Sequence, residues 1–451
     1  MGKFCWPGFQ RISPSKMGLA LRAPSSSASA SFTRLSPHLQ FARQWRANPP
    51  SQTASQRPPN PPNPVVEKTV AFAKRMQQIN CMNNPWQARR KFIRQTALGA
   101  LGFPFVCSLA SAAGAAGDPP RKLGFALVGL GGLSTGQIAP ALQQTRYCRL
   151  AAIVTGTPSK IPTWKARYNL ADKDVYSYDT MERMADNPDI DVVYVVTPNA
   201  LHNESALKAA RAGKHVFCEK PMEVTVEKCQ QMIDEVKKAG RMLAVGYRCQ
   251  FDPNQLECRR LATEKVFGEL KTIDGEFSRN ISANEWRVKK ALAGGGPLMD
   301  VGIYALQTCR FVSGREPVEL TATFGPVTDP VKFAEVEGSV AWEMTFPGGL
   351  KTTCRTSYER SGVNGFTVTG EKGTFGLNPA YNYNSSHGTR SDGQPINLPG
   401  VNQFAAEMDD FAQCILNNQP SRVSGEEGLR DVRIMLAIYE SARTGQPVKL
   451  A

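Results

Sequence analysis

A chain of 451 residues with 41% hydrophobic content is long enough for two or three domains, each with a core of its own. Its net charge of +15 would suggest a nucleic-acid binder, but residues 1–117 hold 15 Lys/Arg against the single acid Glu67, leaving 39 basic and 38 acidic residues beyond. That near-neutral remainder, with no clustered Lys/Arg, argues against a nucleic-acid partner, and 11 cysteines without a CxxC or Cys/His cluster argue against a metal site.

Residues 1–65 are rich in Ser, Pro, Ala and Arg and carry no sustained apolar periodicity. The stretch 1–81 therefore reads as a disordered or over-extended start, with Met82 the expected first residue. Residues 82–117 resemble a twin-arginine (Tat) export signal: Arg89-Arg90-Lys91-Phe92-Ile93 precedes an uncharged, Ala/Gly-rich stretch ending in small-residue sites around Ala112 and Ala115. This predicts a periplasmic protein that engages the Tat machinery, with an uncleaved signal anchor as the alternative.

Residues 118–245 read as a Rossmann-type domain. The apolar run Leu123–Val128 enters a Gly-rich turn and leaves as a helical pattern. In that turn Gly129 permits the tight bend and Gly131 lets the backbone approach a pyrophosphate, with Gly132 and Leu133 in the same cofactor-binding turn. Ser134 stands at the third glycine position. A second apolar run, Leu150–Val154, ends in Thr155-Gly-Thr157-Pro-Ser159-Lys160, where an NAD enzyme usually carries a carboxylate. Thr155, Ser159 and Lys160 would instead donate to a 2'-phosphate, which predicts NADP(H). A helix at 163–168, a strand at 192–197, a helix at 203–212 and a strand at 215–218 continue the βα alternation of a parallel sheet. Pro198, Asn199 and His202 after one strand, and Glu219 and Lys220 after the next, fall at the carboxyl ends that face a cofactor.

Residues 246–451 read as a substrate-binding and oligomerisation domain. A helix at 254–264 and a strand at 270–277 precede Gly294-Gly-Gly296, a flexible lead-in to a helix at 301–311. Strands follow at 318–324, 336–346, 350–357, 365–369 and 373–377, and helices at 402–416 and 429–444. The fold class is α/β: a Rossmann domain followed by an α+β domain with a largely antiparallel open sheet, one face over the active site and the other available to pair subunits.

Three ordered stretches carry a resemblance: Gly213 to Met222 with Glu219-Lys220-Pro221, Gly246-Tyr247-Arg248 to Pro253, and Gly294 to Tyr304 with Asp300-Val-Gly-Ile-Tyr304. With Glu426 to Arg433, they make the chain similar, from about Gly124 to its end, to the glucose-fructose oxidoreductase and inositol dehydrogenase (Gfo/Idh/MocA) family, and most to its glucose-fructose oxidoreductase branch. The resemblance implies tightly bound NADP(H), oxidation of a glucose-like aldose to its lactone, and reduction of a fructose-like sugar to a polyol. It places Lys220 beside the nicotinamide and the reacting hydroxyl, with Glu219 to hold it. Asp300 and Tyr304, on one helix face, complete the catalytic set, Tyr304 exchanging the hydroxyl proton with Lys220 as the cation that lowers its pKa. Tyr247, Arg248, Trp286 and Arg287, with Asp300, are the expected sugar contacts. A homodimer or homotetramer is also implied, although signal cleavage near Ala115 would leave too short an arm to wrap a partner's cofactor. An NADP-dependent sugar dehydrogenase with dissociable cofactor and an NAD-dependent glycoside hydrolase of the same fold are the alternatives.

Overall fold

The first strand, β1 (Leu123–Val128), is buried along its whole length, as a strand covered by helices on both faces must be. The computed structural model describes residues 121–383 and 386–450, so the expected disordered start at 1–81 and export signal at 82–117 lie outside the described residues. Around β1 a six-stranded parallel sheet is laid out in the order β3-β2-β1-β4-β5-β6, with β2 Cys148–Val154, β3 Val175–Tyr176, β4 Val192–Val195, β5 His215–Glu219 and β6 Leu243–Gly246. Strand β4 stops two residues short of the expected Thr197, where the chain turns out ahead of Pro198.

Helices α1 (Ala139–Leu142), α2 (Ile161–Tyr168), α3 (His202–Arg211) and α4 (Val226–Lys238) connect these strands. The residues 134–138 ahead of α1 form one π turn rather than an α turn. Helix α4, not delimited in the sequence, is capped by the Thr225 hydroxyl, which accepts from the Lys228 amide at 3.2 Å.

The rest of the chain opens with α5 (Pro253–Thr263), capped by the Asp252 carboxylate on the amides of Asn254 and Gln255. It then builds a nine-stranded sheet in the order β14-β13-β12-β11-β7-β10-β9-β8-β15. Its strands are β7 Leu270–Ser278, β8 Glu319–Phe324, β9 Ser339–Thr345, β10 Lys351–Ser357, β11 Val363–Gly370, β12 Gly373–Leu377, β13 Gly388–Arg390, β14 Pro395–Ile396 and β15 Val448–Lys449. Only β7 and β10 pair in parallel; the other neighbours are antiparallel. On β9 the inward residues Val340, Trp342 and Met344 alternate with partly exposed ones, the pattern of a sheet packed on one face.

After a single turn, α6 (Lys290–Ala293), helix α7 (Ile303–Ser313) lies across β7 and β10. Two helices follow near the C-terminus, and the second ties both sheets together. Helix α8 (Gln403–Leu416) packs on β2, β6 and α1, while α9 (Gly425–Thr444) touches α4 and β6 on one side and β8 and α7 on the other. The carboxylates of Glu427 and Asp431 on α9 pair with buried Arg310 on α7, which also holds Glu316 at 2.6 Å. This is the structural role of the 426–433 segment: a fully desolvated cation needs such partners.

Candidate active site

The carboxyl ends of β1, β4 and β5 face the inner side of the nine-stranded sheet across a cleft of about 990 Å³. It is lined by Gly129, Gly131, Gly132 and Leu133 of the first turn, Thr155 and Lys160 of the second, Pro198, Asn199 and His202 after β4, and Glu219 and Lys220 at the end of β5. Apart from Ser159, the expected cofactor positions are thus brought to one surface, because parallel strands deliver their carboxyl ends to one edge.

Gly129 has φ +89°, and a side chain there would meet the Val196 carbonyl oxygen at 2.8 Å. At Gly131 and Gly132 an added Cβ would meet nothing within 4 Å, so the turn presents bare backbone to open space, as a pyrophosphate-binding turn requires. Ser134 fills the third glycine position by donating to the Gly129 carbonyl at 2.5 Å, which fastens the turn. In the second turn Thr155 accepts from the Thr157 amide at 3.0 Å, and Lys160 reaches back to the Leu130 carbonyl at 2.7 Å. Thr157 lines the cleft; Ser159, expected to, does not. These features fit a dinucleotide whose ribose end meets hydroxyls and an ammonium rather than a carboxylate.

Two further residues lock the strand ends. Asn199 donates to the Ala293 carbonyl at 2.9 Å, and the buried His202 ring lies between the carbonyls of Thr197, 2.8 Å from Nε2, and Pro221, 3.0 Å from Nδ1, donating to one of them when neutral. Burial pushes the His202 imidazole below its ordinary pKa.

Lys220 donates to the Asp300 backbone carbonyl at 2.7 Å, with the Asp300 carboxylate at 3.8 Å. Burial lowers the Lys220 pKa, and the charges of Asp300 and Glu219 oppose that. Asp300 also faces Arg287 at 3.2 Å and Arg279 at 3.4 Å. Burial raises its carboxyl, yet Arg287, Lys220 and Arg279 together win and hold it at about 2. Asp300 is therefore a fixed anion at neutral pH. Tyr304 lies beside this cluster, with the Lys220 ammonium 4.8 Å from its ring centroid.

Several expectations need correction. Asp300 and Tyr304 are not on one α-helix: Asp300 is in a π turn, residues 298–302, and Tyr304 follows in α7, although both reach the cleft. Gly294-Gly-Gly296 is a tight joint rather than a flexible lead-in. A Cβ on Gly295 would lie 2.1 Å from the Tyr439 hydroxyl, while Glu337 accepts from the amides of Gly296 (2.8 Å) and Leu298 (3.3 Å) and from that hydroxyl (2.8 Å). Glu219 does not grip Lys220; its carboxylate accepts from buried Tyr194 at 2.8 Å, and Lys220 is held by Asp300. Nor does Lys220 touch the Tyr304 hydroxyl, whose cationic partner is Arg248, donating from Nε at 3.2 Å. Tyr247 is absent from the cleft lining; it is buried, with its phenol among the carboxylates of Asp431 and Glu427.

Arg248, Trp286 and Arg287 do line the cleft, with Arg287 stacked on Trp286 at 4.6 Å. Sequence reading missed Arg279, one residue past β7, Tyr381 and Tyr383 in the loop after β12, and Phe404 at the start of α8, all of which line the cleft. The Tyr381-Asn-Tyr383 doublet of aromatics in a loop was the available signal.

Residues 123–247 match the model of the oxidoreductase family with an NAD-binding Rossmann fold, and residues 256–376 that of the GFO/IDH/MocA C-terminal domain. The crystal structure of an aldose-aldose oxidoreductase from Caulobacter crescentus complexed with glycerol is 40% identical, with a TM-score of 0.71 over 73% of this chain and 100% of that one. D-xylose 1-dehydrogenase (NADP(+)) of Haloarcula marismortui is 29% identical over 72% of this chain and 92% of the relative. D-glucoside 3-dehydrogenase of Escherichia coli is 27% identical over 70% and 96%. With both family models matched in order, the chain belongs to the Gfo/Idh/MocA family of sugar oxidoreductases and dehydrogenases, carrying an NAD(P)-binding Rossmann domain ahead of its C-terminal domain.

Proposed function

We propose that the protein is a periplasmic sugar oxidoreductase that keeps NADP(H) bound while it oxidises an aldose to its lactone and reduces a second sugar to a polyol. The observation that carries this reading is the meeting of Lys220, Asp300 and Tyr304 in the same cleft as the carboxylate-free turn at Thr155 and Lys160. The 40% identity to a structure described as an aldose-aldose oxidoreductase supports the two-sugar cycle, and the relative described by NADP(+) supports the cofactor.

Bound NADP would supply the hydride acceptor for the carbinol carbon and, once reduced, the hydride donor for the second sugar. The chain's own residues do the rest. The Gly131 and Gly132 backbone would hold the pyrophosphate, and Lys160 with Thr155 would hold the 2'-phosphate. The Lys220 ammonium, kept charged by the fixed Asp300 anion, stabilises negative charge on the carbinol oxygen. Tyr304 takes the hydroxyl proton in oxidation and returns one in reduction. Arg279, Arg287 and Trp286 line the sugar's position with polar forks and an aromatic face. Tat export of the folded chain, with its cofactor, accounts for a Rossmann enzyme outside the cytoplasm, and the open sheet face is available for a homodimer or homotetramer.

Mass spectrometry of products from glucose and fructose, incubated with the purified protein and no added cofactor, tests the reading. Lactone and polyol in equal amounts are expected. Oxidation that continues only with added NADP would make it an ordinary dehydrogenase, and sugar released from an aryl glycoside would make it a hydrolase.

A further inference from the structure

Arg248 is a buried cation whose acceptors, among the described residues, are all neutral oxygens. It sits in the short turn after β6 and is 3% exposed. Its guanidinium donates from Nε to the Tyr304 hydroxyl at 3.2 Å, and from Nη2 to the Tyr381 carbonyl at 2.7 Å. Nη1 serves the Asn382 carbonyl at 3.4 Å and the side-chain oxygen of Gln403. The rings of Tyr383, Tyr304 and Phe404 stand 4.5, 4.9 and 5.9 Å from its central carbon. Gln403 in turn donates to Asp252 at 2.6 Å, so an amide separates that carboxylate from the guanidinium.

The carboxylates of Glu219 and Glu407 feel the Arg248 charge, but neither hydrogen-bonds it, and a guanidinium taken out of water gains most from an anion at its own N–H. The group that Arg248 touches through a hydrogen bond and that can become one is the Tyr304 hydroxyl. Lys220 lies over the face of that ring, not at its oxygen.

We propose that Arg248 is the positioning residue that makes Tyr304 a usable base, its Nε–H stabilising the tyrosinate that takes the carbinol proton. This rests on Tyr304 being the proton acceptor. The proton moves from the sugar hydroxyl to the Tyr304 oxygen as the C–H hydride passes to NADP, and it returns from that oxygen when the second sugar is reduced. Gln403 and the Tyr381 carbonyl fix the guanidinium at hydrogen-bonding distance. Burial wins at this phenol and holds its pKa above the ordinary value, with Cys249 from the same turn, Tyr383 from the loop after β12 and Glu219 from the end of β5 acting in the same direction; the Arg248 charge is the main influence that opposes the rise.

The test is the pH dependence of the single-turnover reduction of bound NADP by glucose in the parent, Tyr304→Phe, Arg248→Gln and Arg248→Lys. Oxidation needs the deprotonated phenol, so a higher Tyr304 pKa moves the rising limb of the profile to higher pH. Arg248→Gln is expected to move it up by about 1–3 pH units, a loss of about 10-fold or more at neutral pH that is recovered at alkaline pH. Arg248→Lys, which keeps a charge but not the fork, moves it less, and Tyr304→Phe abolishes it. A pH-independent loss in Arg248→Gln, with the limb in place and still lost in Tyr304→Phe, overturns the role of Arg248 alone. A limb that survives in Tyr304→Phe overturns the reading of Tyr304 beneath it. If Arg248→Gln does not fold, Arg248→Lys decides: an upward shift supports the proposal, and a slower rate with an unmoved limb overturns it.

Discussion

Replacing Asp300 by Asn preserves the side chain's size and removes the charge on which Lys220, Arg279 and Arg287 converge at 3.8, 3.4 and 3.2 Å. In the folded protein burial works against this carboxylate, but the three cations hold it down from 3.8 to about 2. The difference corresponds to about 2 kcal/mol of stability, at about 1.4 kcal/mol for each pH unit between unfolded and folded values. Only 15% of the side chain is exposed, so solvent screening removes little of this. Because the folded value is the lower one, the stabilisation is fully present above the unfolded value of about 4 and is lost as pH falls through about 2. Urea denaturation of the parent and Asp300→Asn across that range is the assay. The parent should be more stable at neutral pH by about 2 kcal/mol, and the gap should close on acidification below about pH 4. A gap of constant size over that range would refute the electrostatic account of Asp300.

Lys160→Ala should weaken NADP binding by about 10- to 100-fold and NAD binding little, because only NADP carries the phosphate it is proposed to meet; calorimetric titration with both cofactors distinguishes the two, and equal losses would exclude Lys160 from that role. Gly295→Ala forces a methyl group to within 2.1 Å of the Tyr439 hydroxyl. It should cost about 1–3 kcal/mol and lower Tm, with turnover falling as the lead-in to Asp300 shifts. Tyr247→Phe should leave the sugar KM unchanged and should not lower stability in denaturant, since its buried phenol faces Asp431 without a hydrogen bond and does not reach the cleft; a raised KM would return it to the sugar site.

The Rossmann half was legible because its signals are local and ordered. Buried parallel strands read as unbroken apolar runs, and their carboxyl ends carry the site, so Gly129, Thr155, Asn199 and Lys220 could be placed from sequence. The other half of the site comes from segments distant in sequence that sheet topology brings together. Arg279 follows β7, whereas Tyr381 and Tyr383 follow β12, and nothing local signals the parallel β7–β10 pair. Tyr247 and Arg248 are adjacent in a turn, where no period tells which side chain enters the cleft; one goes to the α9 carboxylates and the other to Tyr304. The glycines before Asp300 read as slack, yet their small size serves close packing on Tyr439 and Glu337. The π turn at Asp300 was hidden for a related reason, since a one-residue widening leaves no mark in a short apolar pattern.

The central claim, that one bound NADP shuttles hydride between two sugars at Lys220 and Tyr304, is tested most directly on protein freshly passed through gel filtration. Fluorescence of the reduced nicotinamide should reveal a stoichiometric complement of NADP(H). Glucose alone should reduce it once without release, and fructose added after glucose is removed should reoxidise it in place, in ping-pong fashion. Protein that arrives empty, or that sheds its reduced cofactor before the second sugar is added, would contradict the account.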